Sequence, residues 1–259
     1  MGQDEPRRLS SSFGAAAAAY AEHRPDYAQA AVQWALELAP GSRVLDLGAG
    51  TGKLTATLDA LGLDVVAVEP DPAMLTELRR ALPNVRALPG GAEAVPLPDS
   101  SVDAVVSGNA MHWFDMNAAG PELARVLVPD GILAGLWNVF DDRVAWVAEL
   151  ERVGGSAAIG TRDTFSNWRR ATAEVHLPND GSHPRFGSPE QAEFPHGQLR
   201  TADSLVATFA TKAGMLVMLE QEREATLGRI RAFLASTPET SGGEFTLPML
   251  TGVLRLQRS

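Results

Sequence analysis

The sequence predicts an α/β protein built on a parallel sheet with helices on both faces. Two observations predict it. Short apolar, β-branched runs alternate with helix-length segments between residues 41 and 140, a pattern of parallel strands joined by crossover helices. Glycines or acids stand at the carboxyl ends of the first two runs, where open parallel sheets bind ligands.

The elements follow in order. Residues 1–12 are polar, without periodicity, and read as a flexible tail. Residues 13–40 are Ala-rich, with Val32, Leu36 and Ala39 at helical spacing. Pro25 divides this stretch into two helices, and Pro40-Gly41 ends it. In the core, 41–140, Arg43–Leu47 is a first strand and Lys53–Leu61 a helix stopped by Gly62. Asp64–Glu69 is a second strand. Pro72–Leu82 is a helix with proline at its first position, where the missing N–H costs nothing. Val85–Leu88 and Ser101–Ser107 are strands, Pro121–Leu127 a helix, and Gly131–Trp137 a fifth strand.

After Trp137 the alternation stops. Asp141–Arg152, Thr201–Phe209 and Glu220–Leu234 read as helices, and Ala192–Leu199 as a sixth strand. Residues 154–190 are rich in Gly, Pro, Asn and His and carry no clear period. Residues 141–240 are therefore expected to form a helical insertion that includes the sixth strand. Within 241–259, Glu244–Arg258 alternates as a final strand despite Pro248. No internal repeat is visible, and no second domain with its own core is expected.

Composition excludes several classes of function. Apolar residues make up 45% and charged residues 21%, as in an ordinary globular chain. The net charge is −10, and Lys and Arg occur at most in pairs such as Arg7-Arg8 and Arg79-Arg80. A nucleic-acid partner is not expected, because backbone-gripping domains present a basic face. There is no cysteine, so disulfides and thiolate chemistry are excluded. No apolar run approaches the ~20 residues of a membrane span, and the first residues lack an apolar signal core. A cytoplasmic protein without a membrane partner is the expectation. His23, His176, His183 and His196 lack paired metal-site spacing, so no metal is expected. No Gly-x-Ser-x-Gly elbow is present.

The chemistry-bearing motifs follow the strands. Asp46-Leu-Gly48-Ala49-Gly50-Thr-Gly52 leaves the first strand and enters a helix. Glycines let the backbone turn tightly and approach a ligand, and the helix beyond offers free N–H groups. The dinucleotide fingerprint needs its third glycine where Lys53 stands, and a phosphate-binding loop needs Ser or Thr where Leu54 stands. Glu69 closes the second strand at the distance of a ribose-binding acid. Alone, each motif admits a bland alternative, a ligand-free turn or a solvated acid. Together they favour a ribose-bearing ligand.

These residues resemble the class I, Rossmann-like methyltransferases that use S-adenosyl-L-methionine. Asp46-Leu-Gly-Ala-Gly-Thr-Gly and Val-Glu69-Pro-Asp71-Pro-Ala-Met74-Leu carry the likeness. Gly91-Ala-Glu93…Asp99-Ser-Ser-Val-Asp103, Asn109-Ala-Met-His112-Trp113-Phe114-Asp115 and Pro129-Asp-Gly131 extend it. Tyr20…Arg24-Pro25-Asp-Tyr27 is similar to small-molecule methyltransferases of the trans-aconitate type. The resemblance covers residues 13–155 well and is vaguer beyond, although Trp137-Asn138 fits the same bacterial group.

The resemblance implies a three-layer sandwich. Its seven-stranded sheet is mostly parallel with an antiparallel final strand, residues 13–40 form a helical lid, and 141–240 cover the substrate. It implies that Gly48, Ala49, Gly50 and Gly52 pass beside the methionine part of the cofactor, with Asp46 orienting the loop or meeting the ligand through water. Glu69 would hold the ribose hydroxyls, and Pro70, Ala92 and Glu93 would flank the adenine. Relatives often carry Asp where Gly91 stands, so Glu93 or a backbone carbonyl is expected to substitute. Asn109 would lie near the methionine carboxylate or the sulfonium. Tyr20 and Arg24 would come from the lid, with Arg24 pairing with the carboxylate.

His112, with an ordinary pKa of ~6.5, is the candidate catalytic base. Packing beneath Trp113 is its competing role. His112, Trp113 and Trp137 are the candidate substrate contacts, since aromatic faces attract cations. The expected reaction is methyl transfer to an O, N or C nucleophile, leaving S-adenosyl-L-homocysteine. Expected partners are a small-molecule substrate and at most a second copy of the chain. The alternatives are an NAD-dependent oxidoreductase, or a protein that binds S-adenosylmethionine without transferring its methyl group.

Overall fold

The computed structural model describes residues 17–160, 163–173 and 186–259. The expected tail, the first residues of the lid, His176 and His183 lie outside them.

Seven strands form one sheet: β1 (Arg43–Leu47), β2 (Asp64–Glu69), β3 (Arg86–Pro89), β4 (Val102–Gly108), β5 (Leu127–Phe140), β6 (Glu190–Thr201) and β7 (Glu244–Gln257). Their order is β3-β2-β1-β4-β5-β7-β6. The first five run parallel, and β7 pairs antiparallel with both β5 and β6. This is the expected Rossmann-like sheet. The chain reverses its winding between β1 and β4, so their carboxyl ends open a crevice suited to a ligand.

Alternation along the strands divides the core. Val44 of β1, Val65 of β2 and Val106 of β4 pack beneath α2 (Gln29–Leu36) and α3 (Lys53–Ala60). Leu45, Leu47 and Val105 face the other side, against Leu123 and Val126 of α5 (Met116–Val126). The same two-residue period turns Asp46 toward the α3 side, where Thr55 meets it. A third cluster joins Phe140 of β5 and Phe245, Leu247 and Met249 of β7 to the insertion helices. These are α6 (Ala145–Ala158), α8 (Ala202–Ala210), α9 (Ala213–Leu216) and α10 (Glu220–Ser236). The insertion therefore builds its core on the sheet. No helix among the described residues is long and apolar enough to cross a membrane.

Several boundaries differ from the sequence reading, for local reasons. α5 starts five residues before Pro121, because Asp115 caps it by accepting from the Asn117 N–H at 3.1 Å. β5 extends to Phe140, where the Phe140 N–H donates to the Asp163 carbonyl at 2.7 Å. A helix not read in the sequence, α7 (Phe165–Ala173), inserts the fully buried Trp168 against β7.

The N-terminal helices flank a bend at Pro25, as its ring dictates. α1 (Ala17–His23) ends on the insertion: the His23 carbonyl accepts from Thr208 Oγ1 at 2.8 Å and Arg200 Nη2 at 3.1 Å. These bonds satisfy a helix-end carbonyl that has no partner within the helix. The N-terminal helices and the insertion are thereby joined directly by hydrogen bonds.

The Trp168 contact gives a stability prediction. A Cβ on Gly252 would lie 2.7 Å from the Trp168 ring, which has no room to retreat. Gly252→Ala is expected to cost ~1–3 kcal/mol, lowering the midpoint of thermal unfolding by roughly 3–10 °C. An unchanged midpoint in a melting curve would show that the ring can shift.

Candidate active site

The site begins with backbone geometry. Gly48, Gly50 and Gly52 hold φ of 69°, 58° and 89°, a region other residues rarely adopt. At Gly48 a Cβ would strike Ala110 Cβ at 2.7 Å, whereas at Gly50 it would meet nothing within 4 Å. The loop turns β1 into α3 and leaves the Gly50 backbone facing open space. The Gly48 and Ala49 N–H groups donate to the Val68 carbonyl at 2.9 and 3.1 Å, tying the loop to β2.

Glu69 locks the arrangement. Its Oε2 accepts from the Gly50 N–H at 2.8 Å, and its Oε1 from the Asp71 N–H at 2.9 Å. Burial raises its pKa, the two N–H bonds pull it back, and the neighbouring Asp71 charge raises it again. A carboxylate offers about four acceptor positions, so capacity remains for two further donors.

Asp46 is wholly buried at the end of β1. Its Oδ2 accepts from Thr55 Oγ1 at 2.6 Å, while its Oδ1 has no hydrogen-bond partner among the described residues. Burial lifts its carboxyl from the ordinary 3.8 to about 7; the Thr55 bond opposes this and the Glu69 charge adds to it. Tyr27 lies against the same space, with a Cβ on Gly108 only 2.4 Å from its hydroxyl. Burial, then repulsion from Tyr20 and Asp46, holds the Tyr27 phenol well above its usual range.

Two connected pockets result. One is lined by Tyr20, Arg24, Tyr27, Asp46, Gly48, Ala49, Gly50, Thr51, Lys53 and Asn109. The other is a cleft open to solvent with about 910 Å³ of free space. Its walls include Tyr20, Gly48, Gly50, Glu69, Pro70, Met74, Ala92, Glu93, Asn109, Trp113 and Phe114.

Most candidate residues therefore meet around one space. Arg24 lies over the Tyr20 ring at 4.5 Å and donates through Nε and Nη2 to Thr211 Oγ1 and O, both at 3.1 Å. It forms no salt bridge among the described residues. Glu93 Oε1 accepts from the Asp115 N–H at 3.0 Å. Its Oε2 is 3.3 Å from where a Cβ on Gly91 would stand, in the region a side chain at 91 would enter. Asn109 takes φ of 51° as β4 ends, with its Oδ1 held by the Asn138 N–H at 3.2 Å.

Three candidates stand apart. Gly52 begins α3 outside both linings, and its Cβ position faces Leu78 and Leu82. His112 sits on a 3-10 turn (Met111–Trp113), where Nδ1 accepts from Trp137 Nε1 at 3.3 Å and the ring packs at 4.8 Å from Trp113. Trp137 is buried, with its ring stacked on Trp168 at 6.5 Å. Neither His112 nor Trp137 lines the cleft. Conversely, Tyr27, Thr51, Thr55, Lys53 and Gly108 belong to the site and were given no role from sequence. Tyr27 had a signal, standing three residues after Arg24.

Comparison with known proteins now has a geometry to attach to. The methyltransferase domain family matches residues 45–135, the segment holding the glycine loop, Glu69 and β4. A methyltransferase of Mycobacterium tuberculosis, uncharacterized in activity, is 41% identical over 250 residues, 96% of each chain. The chain belongs to the methyltransferase family. A second member, the malonyl-[acyl-carrier protein] O-methyltransferase of Methylococcus capsulatus, is 33% identical over 199 residues, 71% of this chain and 72% of that one. In fold, the chain resembles a type II methyltransferase, so named, of Anaeromyxobacter dehalogenans. The TM-score is 0.62 at 24% identity, covering 91% of this chain and 97% of that one.

The titration of Asp46 is directly testable. A carboxyl raised in the folded state contributes stability below its unfolded pKa and loses it as pH rises through the folded value. For Asp46 that window runs from 3.8 to about 7 in the ligand-free protein. Asp46→Asn removes the titration while keeping an acceptor for Thr55. The variant is expected to gain on wild type by ~3 °C or more in unfolding midpoint between pH 4 and pH 8. Parallel midpoint curves across that range would contradict the buried, unpaired carboxylate.

Proposed function

We propose that the chain transfers a methyl group from S-adenosyl-L-methionine, by in-line displacement, to an O, N or C nucleophile of a small molecule. One observation carries the reading. The first pocket presents a buried carboxylate oxygen with no hydrogen-bond partner among the described residues, Asp46 Oδ1, and a guanidinium that forms no salt bridge among them, Arg24. Together they complement the ammonium and carboxylate of a free amino-acid head. A nicotinamide dinucleotide has no such head.

The remaining residues fit the same cofactor. Glu69 would accept from both ribose hydroxyls through its unused positions. Pro70, Met74, Ala92 and Phe114 would form the apolar walls around adenine, and Glu93 would take its amino group in place of an acid at position 91. Tyr20 and Asn109 would border the sulfonium end. When bound, the cofactor supplies a methyl group already activated on positively charged sulfur. The protein's remaining task is to align the acceptor behind that methyl and exclude water. Such alignment can supply ~7–11 kcal/mol of the barrier. No proton step is assigned to His112, whose Nδ1 is engaged by Trp137. A carboxylate acceptor, the group implied by the name of the Methylococcus relative, would need none.

Calorimetric titration with S-adenosylmethionine, S-adenosylhomocysteine and NAD tests the reading. Binding of both adenosyl ligands and not NAD is expected, with Glu69→Ala weakening it by ~10- to 100-fold through lost charged hydrogen bonds. NAD binding alone, or no binding, would remove the proposal. Adenosyl binding without turnover across a broad acceptor panel would leave a binding protein in its place.

A further inference from the structure

Asn138 follows Trp137 in β5 and is 6% exposed. It is not in the wall of either pocket, yet it bonds to residues on both sides of them. Its backbone N–H donates to Asn109 Oδ1 at 3.2 Å, on the β4 wall. Its Nδ2 donates to the Pro25 and Asp26 carbonyls at 3.3 and 3.0 Å. Those carbonyls belong to the linker between α1 and α2, which carries Arg24 and Tyr27. Its Oδ1 accepts from Thr251 Oγ1 at 2.7 Å, a residue directly opposite in the β5–β7 register.

Donor and acceptor accounting fixes the side chain's orientation. The hydroxyl proton of Thr251 goes to Asn138, so its lone pairs accept, one from the Ala28 N–H at 3.2 Å. The other faces His196 Nε2 at 3.2 Å, which must then carry the proton. Reversing the Asn138 amide would aim its oxygen at two carbonyl oxygens. No other side chain of this size both donates twice and accepts here. Aspartate would set a carboxylate against two carbonyls, and leucine would leave them unpaired.

We propose that Asn138 is a positioning residue for the cofactor cleft. It holds Asn109, at a backbone angle rare for a side-chain-bearing residue, on one wall. It holds the Pro25–Asp26 linker, and so Arg24 and Tyr27, on the other. This rests on the reading of the cleft as an S-adenosylmethionine site. The backbone N–H of this one residue meets the Asn109 wall, and its side-chain amide, backed by Thr251, meets the linker wall.

The test is calorimetric binding of S-adenosylhomocysteine to the full chain. Asn138→Asp and Thr251→Val are each expected to weaken it ~10-fold or more, the cost of leaving buried carbonyls or the amide unsatisfied. Thr251→Ser keeps the hydroxyl and is expected to bind within ~2-fold of wild type. A role through Arg24 also predicts coupling. In an Arg24→Ala background, Asn138→Asp should cost less than ~3-fold further. Amide exchange at Ala28 should accelerate in Asn138→Asp without ligand.

Wild-type binding with Asn138→Asp within ~2-fold of it, or losses that simply multiply in the double variant, overturn the positioning role and leave the cleft reading intact. Failure of the wild type to bind overturns both. Should Asn138→Asp not fold, the Thr251→Val and Thr251→Ser pair carries the same comparison: equal affinities in that pair overturn the inference.

Discussion

Two carboxylates buried at the ends of adjacent parallel strands constrain everything around them. Asp46 and Glu69 stand close enough that the charge of one raises the pKa of the other, in a place where desolvation penalises both. Glu69 is stabilised by two backbone N–H groups, which exist at that spot only because the chain turns through glycines after β1 and enters a helix after Asp71. Asp46 is stabilised by Thr55 at its Oδ2, and its Oδ1 has no hydrogen-bond partner among the described residues. The loop conformation and the entry into α4 (Pro72–Ala81) are both tied to Glu69 through the Gly50 and Asp71 N–H groups. An incompletely bonded buried carboxylate is unfavourable, and that cost is what a cationic ligand group would relieve.

Much of this was legible in the sequence because it depends on local pattern. A two-residue period places Asp46 and Glu69 at strand ends, and a crowded or left-handed turn has few substitutes for glycine. The β-branched runs and the proline at the start of α4 located most of the core elements. What was not legible depends on contacts between distant residues. Tyr27 reaches the site because Gly108 has no Cβ to block its hydroxyl. Asn138 acts on residues more than a hundred positions earlier. The α7 helix owes its register to Trp168 packing on a glycine of β7, which no helical period announces. His112 attracted notice for its reactivity, but side-chain direction decides its surroundings, and it turns to Trp137.

The lid shows the same dependence on distant residues. An N-terminal helix pair could sit loosely on such a sheet, yet here its bend is pinned from several directions. Thr208, Thr211 and Arg200 hold His23 and Arg24 from the insertion. Asn138, Thr251 and Gln198 hold the linker from the sheet. Nearly all of these bonds end on backbone groups, so they shape the chain without dictating its exposed side chains.

The position of β7 carries this further. It is the last strand in the chain but lies between β5 and β6, and its Thr251 fastens Ala28 across 223 positions. On a ribosome, the glycine loop and the first five strands emerge long before the strand that anchors the lid. A nascent chain can therefore assemble the glycine loop and the Glu69 side of the cleft while the side carrying Arg24 and Tyr27 stays unfastened. Only when β7 slots in beside β5 can Thr251 fasten Ala28, so the pocket is finished by a strand made well after the loop that begins it.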